Sequence, residues 1–565
     1  RFMDADVPVS EVVSDPVTEV ATMTDKRHTG IPLPANLYGD RRNSAGLDVS
    51  DPLETRKLVD ALAERTSTKY DAPSIVCGKE VGGEEILVTC PSNKNIVIGT
   101  TRHAEDADID RALDAAVKAQ KGWDAVGGEG RAQILERLAD LIEEHRVPLL
   151  DLLAREAGRV IADGISEVRE AADFCRYYAL QARLNFAEPK SLKSPTGESN
   201  QLSMHGRGVF FCISPWNFPL AIFTGQVTAA LAAGNAVIAK PADPTPLVGA
   251  YAVRLMHEAG IPTDVLHLLY GRGSKMGAKV VSDERIIGVA LTGSTSTAQT
   301  INRSLAAKNG TINTLIAETG GQNVMIVDSS ALPEQVTDDV LTSAFSSAGQ
   351  RCSALRVLYL QDSIADKVIG MLKGALAERQ IGEPLDLSTD IGPVINLSSR
   401  NGLEKHIDRM HKEGKLIARG KVPDNLEDGT YLAPHIFEIP ALSTLQDEEF
   451  GPVLHVIRYK HGDIEKVMSD IADTGFGLTF GVHSRIESYW LDLFAKNAVG
   501  NTYVNRNMIG AVVGVQPFGG MGLSGTGPKA GGPHYLLRFA NEKILTINTA
   551  AIGGNTELFR LNECG

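Results

Sequence analysis

Gly208-Val-Phe-Phe-Cys-Ile-Ser-Pro-Trp-Asn-Phe-Pro219 opens an uncharged run that continues to Ala239, and the reading of this run decides the fold. Its length would suit a membrane span, but Pro215, Asn217, Pro219, Gln226 and Asn235 break it up, so it reads as buried strand, turn, helix and strand. Short apolar strands are expected at 209–213, 236–239, 265–270 and 286–291. Helical stretches separate them, including 247–257, which stops at Gly260-Ile-Pro262. That alternation predicts an α/β architecture with a doubly wound parallel sheet, which places ligands beyond the carboxyl ends of its strands.

Two of those ends carry candidate chemistry. Gly271-Arg-Gly273-Ser-Lys-Met-Gly277 offers glycines where backbone amides can approach a phosphate at a helix start, although the spacing is not Gly-x-Gly-x-x-Gly. Thr292-Gly293-Ser294-Thr295 is a second small-residue turn, where a phosphate or ribose contact competes with a plain N-cap.

Upstream, Ile109, Leu113 and Ala116/Val117, then Ile134, Leu135, Leu138, Leu141 and Ile142 after Gly127-Gly128, predict two amphipathic packing helices. One further helix is expected through Glu156, Glu167, Glu170 and Arg176. Residues 189–205 read as two short polar strands around Pro195-Thr-Gly197, a ribbon without a core of its own that suits sheet pairing with a partner subunit, as does 543–549. Residues 1–75, rich in Pro, Asp and Thr with little periodicity, read as an extended arm. The second half, from Glu318, alternates helices and strands and suggests a domain with its own sheet. It ends in the glycine-rich loop 507–522, whose length and composition suit a functional surface.

The 565 residues call for two or three substructures, and a net charge of -14 without Lys/Arg clusters argues against a nucleic-acid surface. Six scattered cysteines without Cys-x-x-Cys or His spacing indicate neither disulfides nor a metal site and fit a reducing cytoplasm. No secretory signal pattern opens the chain.

The stretch Ser343-Ala-Phe-Ser-Ser-Ala-Gly-Gln-Arg-Cys352-Ser353, with Leu315-Ile-Ala-Glu318-Thr-Gly-Gly-Gln-Asn323 before it, supplies a thiol and a carboxylate among small residues. A thiolate attacks a carbonyl carbon well, but a thioester left after oxidation needs water activated by a base. Cys352 and Glu318 can divide that work, whereas singly each would be a small buried hydrophobe and a solvated acid.

With Ser214-Pro215-Trp216-Asn217-Phe218-Pro219, Lys240-Pro-Ala-Asp243, Leu291-Thr-Gly293-Ser294, Glu318-Thr-Gly-Gly, Gly349-Gln-Arg-Cys352 and Glu448-Glu-Phe450-Gly-Pro452 in order, roughly residues 80–545 resemble the aldehyde dehydrogenase superfamily. The resemblance implies Cys352 as nucleophile, Glu318 as base for deacylation, and the Asn217 amide with the Cys352 N–H as oxyanion donors. It further implies a bound NAD along Ser214, Pro215, Trp216, Lys240, Asp243, Gly273, Gly277, Gly293, Ser294, Glu448 and Phe450. Many relatives have Glu at Asp243. The shorter acid still opposes a 2′-phosphate, which favours NAD over NADP.

Ile31-Pro-Leu-Pro-Ala-Asn-Leu-Tyr38, Ala344 to Arg356 and Gly532-Pro-His-Tyr-Leu-Leu-Arg-Phe539 are similar to the dehydrogenase module of the bifunctional proline-utilization proteins. This implies oxidation of L-glutamate γ-semialdehyde, from pyrroline-5-carboxylate, to L-glutamate in proline catabolism. It also implies a proline dehydrogenase flavin module fused upstream of Arg1. Substrate contacts would come from Ser353, Gly510 and Ala511 for the α-carboxylate, Phe218 and Phe518 for the aliphatic part, Arg351, and Glu170 near the amine. No metal is implied.

The same residues leave open another semialdehyde dehydrogenase, for succinate semialdehyde for example, or a cysteine thioesterase or esterase. A non-catalytic scaffold would be expected to have lost Cys352 or Glu318. The expected division is an arm at 1–75, an NAD-binding domain at 76–187 and 208–317, a catalytic domain at 318–530, a homodimer-forming β-ribbon flap at 188–207 and 531–550, and a tail at 551–565.

Overall fold

The structure, a computed structural model, describes residues 4, 6–28, 30–194 and 197–553, and the chain divides into two units, Arg1–Ala45 and Gly46–Gly565. Most of the expected tail lies outside the described residues. The extended arm is corrected in both units. In the first, Val9–Val12 and Pro16–Thr22 are helical; in the second, Pro52–Ala63 is a helix and Tyr70–Val76 a sheet strand. Two Asp-Pro pairs in the expected arm are helix starts: Asp15 accepts from the Val17 and Thr18 amides and Asp51 from the Leu53 amide, each with proline at the first helical position.

Helices Asp106–Ala125 and Gly127–Glu144 form as expected and bury Ile109, Leu113, Leu135, Leu138 and Ile142. The single helix expected through Glu156 to Arg176 is two, Arg146–Ala157 and Ile161–Phe186. Gly158, at φ +66°, ends the first in the left-handed conformation that glycine adopts at little cost. Each of the two carries a buried carboxylate aimed at the start of another helix. Glu156 accepts from the Leu247 and Val248 amides (2.6 and 2.9 Å), and Glu167 from those of Leu220 and Ala221 (2.9 and 3.2 Å). Negative charge is favoured at those positive helix ends, yet burial still pushes Glu156 up to about 8.

A nine-stranded sheet runs Thr314–Glu318, Ile286–Thr292, Val209–Ile213, Ala236–Lys240, Leu266–Leu268, Tyr70–Val76, Asn93–Arg102, Glu85–Cys90, with Lys79–Val81 paired to Tyr70–Val76. The first five strands are mutually parallel. Their chain order reverses between Val209–Ile213 and Ile286–Thr292, the switch point at which such sheets leave a crevice for ligands.

A second, seven-stranded sheet runs Lys415–Arg419, His435–Glu438, Val453–Tyr459, Val357–Gln361, Val324–Val327, Thr479–His483, Asn501–Val504. All of its pairs but the first are parallel. Each sheet has its own apolar core. The polar ribbon forms a three-stranded antiparallel sheet, Ala540–Ile547 against Ser199–Gly206 against Lys190–Leu192. Among the described residues no helix is long and apolar enough to cross a membrane.

Candidate active site

Cys352 sits on the loop entering the amino end of Val357–Gln361, and side chains at the amino ends of neighbouring strands grip that loop by its carbonyls. Asn323, before Val324, donates to the Cys352 and Ala354 oxygens (2.6 and 2.9 Å), and Thr479 donates to that of Ser353 (3.2 Å). The buried Arg356 guanidinium donates to the Gly349 and Arg351 oxygens (2.7 and 3.0 Å). With several carbonyls fixed, the direction of the Cys352 N–H is fixed too.

The turn before the nucleophile is strained. Ser347, Ala348 and Gly349 follow one another in the left-handed region at φ 55°, 53° and 68°, which costs the two non-glycine residues about 1–2 kcal/mol each. At Gly349 a side chain is impossible, since a Cβ would fall 2.2 Å from the Gly451 oxygen. What holds the turn is the Ser347 hydroxyl, which donates to Asp163 (2.8 Å) and accepts from Arg159 and Arg351 (3.0 Å each). Asp163 also pairs with Arg351 at 2.6 Å, and both guanidiniums lie over the Phe218 ring. The two arginines hold the Asp163 carboxyl below its usual range although burial opposes them.

Glu318 ends the edge strand of the first sheet. Its carbonyl accepts from the Gly293 amide (3.0 Å), and its Oε2 accepts from the Gly520 amide (2.9 Å). Glu318 Oε1 is buried without a hydrogen-bond partner among the described residues. The loop that supplies Gly520 is held by Lys529, whose ammonium donates to the Gly500 oxygen (2.7 Å), Asn501 Oδ1 (3.0 Å) and the Gly519 oxygen. Burial raises Glu318 well above the carboxylate range, with Gly520 and Lys529 pulling the other way.

Cys352, Glu318 and all seven expected substrate contacts (Glu170, Phe218, Arg351, Ser353, Gly510, Ala511 and Phe518) line one cavity of about 380 Å³. Asn217 is buried beside Phe218, its carbonyl held by Arg159 at 3.0 Å. Glu170, expected near an amine, lies in the cavity wall. Burial, with the neighbouring Glu167, pushes it up to about 7.

The expected cofactor residues lie at the carboxyl ends of the first sheet and on the loop facing them. Ser214 and Pro215 follow Val209–Ile213 at the switch point, where the Gln226 amide bridges Ser214 Oγ and Thr292 Oγ1 at 2.7 Å each. Lys240, ending the next strand, is buried and donates to Asp243 (2.8 Å) and the Pro241 oxygen (3.2 Å). Gly273 to Gly277 form a π-helical turn rather than an open loop before a five-residue helix, and a Cβ at either glycine would meet nothing within 4 Å. Ser294 is the N-cap of Thr295–Ala306, accepting from the Thr297 amide at 3.2 Å. Glu448 accepts from Arg356 at 3.3 Å, the Arg356 guanidinium lies over the Phe450 ring, and Phe450 makes a T-shaped contact with Trp216.

Burial first, then the Glu448 and Glu318 charges, push the Cys352 thiol up to about 12. Its alkylation by iodoacetamide, followed by peptide mass mapping, is therefore expected to rise about tenfold per pH unit between about pH 7 and 9. Glu448→Gln removes one opposing charge and should speed the reaction about threefold at fixed pH. A rate flat across this range would contradict the assignment of a neutral resting thiol.

Sequence reasoning missed Asp163, Arg159, Ser347, Asn323, Arg356 and Lys529. Asp163, Arg159, Asn323 and Lys529 find partners far along the chain, and Ser347 and Arg356 combine such partners with bonds to their own loop, so no spacing signals them. Ser347 and Asn323 stood inside the quoted stretches without a role.

A thiol and a carboxylate are thus brought to one cavity, beside the switch point of a doubly wound sheet. Residues 79–545 match the model of the aldehyde dehydrogenase family. The chain belongs to the aldehyde dehydrogenase family.

It is 46% identical over 559 residues to the bifunctional protein PutA of Klebsiella aerogenes, covering 96% of this chain and 42% of that protein. It is 34% identical over 482 residues to the 1-pyrroline-5-carboxylate dehydrogenase of a Geobacillus species, covering 84% and 93%. The crystal structure of a Bradyrhizobium japonicum proline utilization A mutant superposes with a TM-score of 0.85 at 48% identity, covering 97% of this chain and 53% of that one. That of a Thermus 1-pyrroline-5-carboxylate dehydrogenase with bound NAD gives 0.84 at 32%, covering 93% and 99%. The chain thus spans less than half the length of the curated bifunctional relatives it matches.

Proposed function

We propose that this chain oxidises L-glutamate γ-semialdehyde, the open form of pyrroline-5-carboxylate, to L-glutamate with NAD, as a step of proline catabolism. The observation that carries this reading is the single cavity that gathers Cys352 and Glu318 with Glu170, Ser353, Gly510 and Ala511. The names of the 1-pyrroline-5-carboxylate dehydrogenase relatives support it.

In this reading the Cys352 thiol releases its proton to solvent, Sγ bonds to the aldehyde carbon and the carbonyl π electron pair moves to oxygen. The charge that develops there is met by the Asn217 amide and the Cys352 N–H, donors useful chiefly in the transition state. The open space over Gly273 and Gly277, and the buried Lys240 at a strand end beside the switch point, fit a dinucleotide. Bound along Ser214, Pro215, Trp216, Lys240, Asp243, Gly293, Ser294, Glu448 and Phe450, NAD supplies the two-electron acceptor. Glu318 then takes a proton from water, whose oxygen bonds to the acyl carbon of the thioester as the C–S bond breaks. Since Glu318 is raised, this hydrolysis should quicken as pH rises and its carboxyl ionises. Asp243 is half-exposed, and its charge opposes a 2′-phosphate although Lys240 offsets part of it. NAD is accordingly favoured over NADP.

The same proposal includes the division into NAD-binding (76–187, 208–317) and catalytic (318–530) domains. It includes a homodimer built on the ribbon edge that exposes Ile544 and Leu545, a cytoplasmic location, and a proline dehydrogenase flavin module fused upstream, which the length of the bifunctional relatives supports.

The rival substrate, succinate semialdehyde, lacks the amine, so Glu170 discriminates. Because Glu170 sits at about 7, its charge grows across neutrality, and KM for glutamate γ-semialdehyde should fall between about pH 6 and 8. Glu170→Gln should raise that KM about tenfold and remove the pH trend, leaving any succinate semialdehyde activity unchanged. Equal effects on both aldehydes, or none, would reject this substrate assignment.

A further inference from the structure

Arg159 stands at the break between helices Arg146–Ala157 and Ile161–Phe186, directly after the left-handed Gly158, and its own N–H donates to the Leu153 oxygen (3.1 Å). Its side chain is buried, at 4% exposure. A single nitrogen, Nη1, donates to two loops that belong to different sheets: one bond goes to the Asn217 carbonyl oxygen and the other to Ser347 Oγ, at 3.0 Å each. Asn217 follows strand Val209–Ile213 of the first sheet. Ser347 lies in the strained turn that leads to Cys352 and to strand Val357–Gln361 of the second.

The guanidinium is itself placed from two sides. Its Nε lies 3.3 Å from Glu167 Oε2, and Glu167 Oε1 accepts from the Leu220 and Ala221 amides just past Asn217. Its carbon lies 4.3 Å from the centre of the Phe218 ring. Burial pulls the group below its usual range, with the Glu167 and Asp163 carboxylates acting against that. A planar fork held in this way points its donors in fixed directions, which a lysine ammonium would not.

Two donors that meet one developing charge must keep their mutual placement to within about 0.5 Å. Here each donor comes from a different loop, the Asn217 side-chain amide from one and the Cys352 N–H from the other, so their spacing depends on what joins the loops. We propose that Arg159 is a positioning residue that sets the two halves of the oxyanion site against each other. Its effect on catalysis rests on the reading above, in which those two donors meet the charge on the aldehyde oxygen. Such a residue acts through Asn217, so its contribution must shrink once the Asn217 amide is absent, as that of a general support of the fold would not.

The test is the rate of the first turnover, read as reduced cofactor by stopped flow at saturating NAD and glutamate γ-semialdehyde. Arg159→Gln is expected to slow it about 100-fold with KM for the aldehyde within about threefold, and Arg159→Lys, which keeps a charge and a donor, to recover about tenfold. In an Asn217→Ala background the same Arg159→Gln change should cost less than about tenfold. An unchanged rate, or the full loss repeated in that background, would overturn the proposal. If Arg159→Gln does not fold, Ser347→Ala takes its place, since it cuts one of the two contacts and leaves Asp163 paired with Arg351 and Arg159 with Glu167. A loss of about tenfold in the first turnover is then expected, and no loss would overturn the proposal. Amide hydrogen exchange reads the link without activity: in the variant, peptides covering 214–221 and 346–353 should both exchange about tenfold faster, and acceleration of one alone or of neither would overturn it. If the parent oxidises no aldehyde, the functional reading fails, while exchange still decides whether Arg159 joins the two loops.

Discussion

Glu318→Gln is expected to leave acylation largely intact and to stop hydrolysis. On mixing with NAD and glutamate γ-semialdehyde, the variant should give a burst of about one reduced cofactor per chain and then turn over about 10²- to 10⁴-fold more slowly than the parent. Glutamine keeps the size of the side chain and can still accept from the Gly520 amide, so the loop anchored by Lys529 has no reason to move. What is lost is the proton acceptor at Oε1, the buried oxygen without a partner among the described residues. Stopped-flow absorbance of reduced cofactor reads both phases. A parent-like steady state would mean that another group activates water.

Cys352→Ala is expected to remove turnover altogether, by at least about 10⁴-fold, because no other described thiol lines the cavity. Cys175 and Cys212 are buried in the core of the first sheet with thiols raised far above their usual range, and Cys77 and Cys90 lie on other elements. Cofactor affinity, measured by fluorescence titration with NAD, should stay within about twofold of the parent, since Cys352 adds only a thiol to that crevice. Residual oxidation above a hundredth of the parent rate would move the nucleophile elsewhere.

The strands and helices around the switch point were legible in the sequence because short uncharged runs alternate there with helical periodicity and glycine stops. Helix Pro246–Ala259 closing at Gly260 is one example. The cavity's residues were legible too, but through family resemblance: spacing alone cannot tell that Glu170 and Phe518 meet. Residues 1–75 misled because a Pro-, Asp- and Thr-rich composition suits an extended arm, whereas here Asp15 and Asp51 cap helices that begin at proline. The break at Gly158 was missed because the apolar pattern continues across it.

The supports of the site stayed hidden for a different reason. The strain at Ser347 and Ala348 is a backbone property that Ser and Ala do not announce. The charges that offset it, Asp163 and Arg159, are far from it in the chain and read as ordinary helical residues.

The central claim, covalent oxidation of glutamate γ-semialdehyde on Cys352, is tested most directly by peptide mass mapping of Glu318→Gln quenched in acid after mixing with NAD and that substrate. A glutamyl adduct on the peptide carrying Cys352, absent without NAD, is the result the account predicts. No adduct despite a burst of reduced cofactor, or an adduct on another residue, would contradict it.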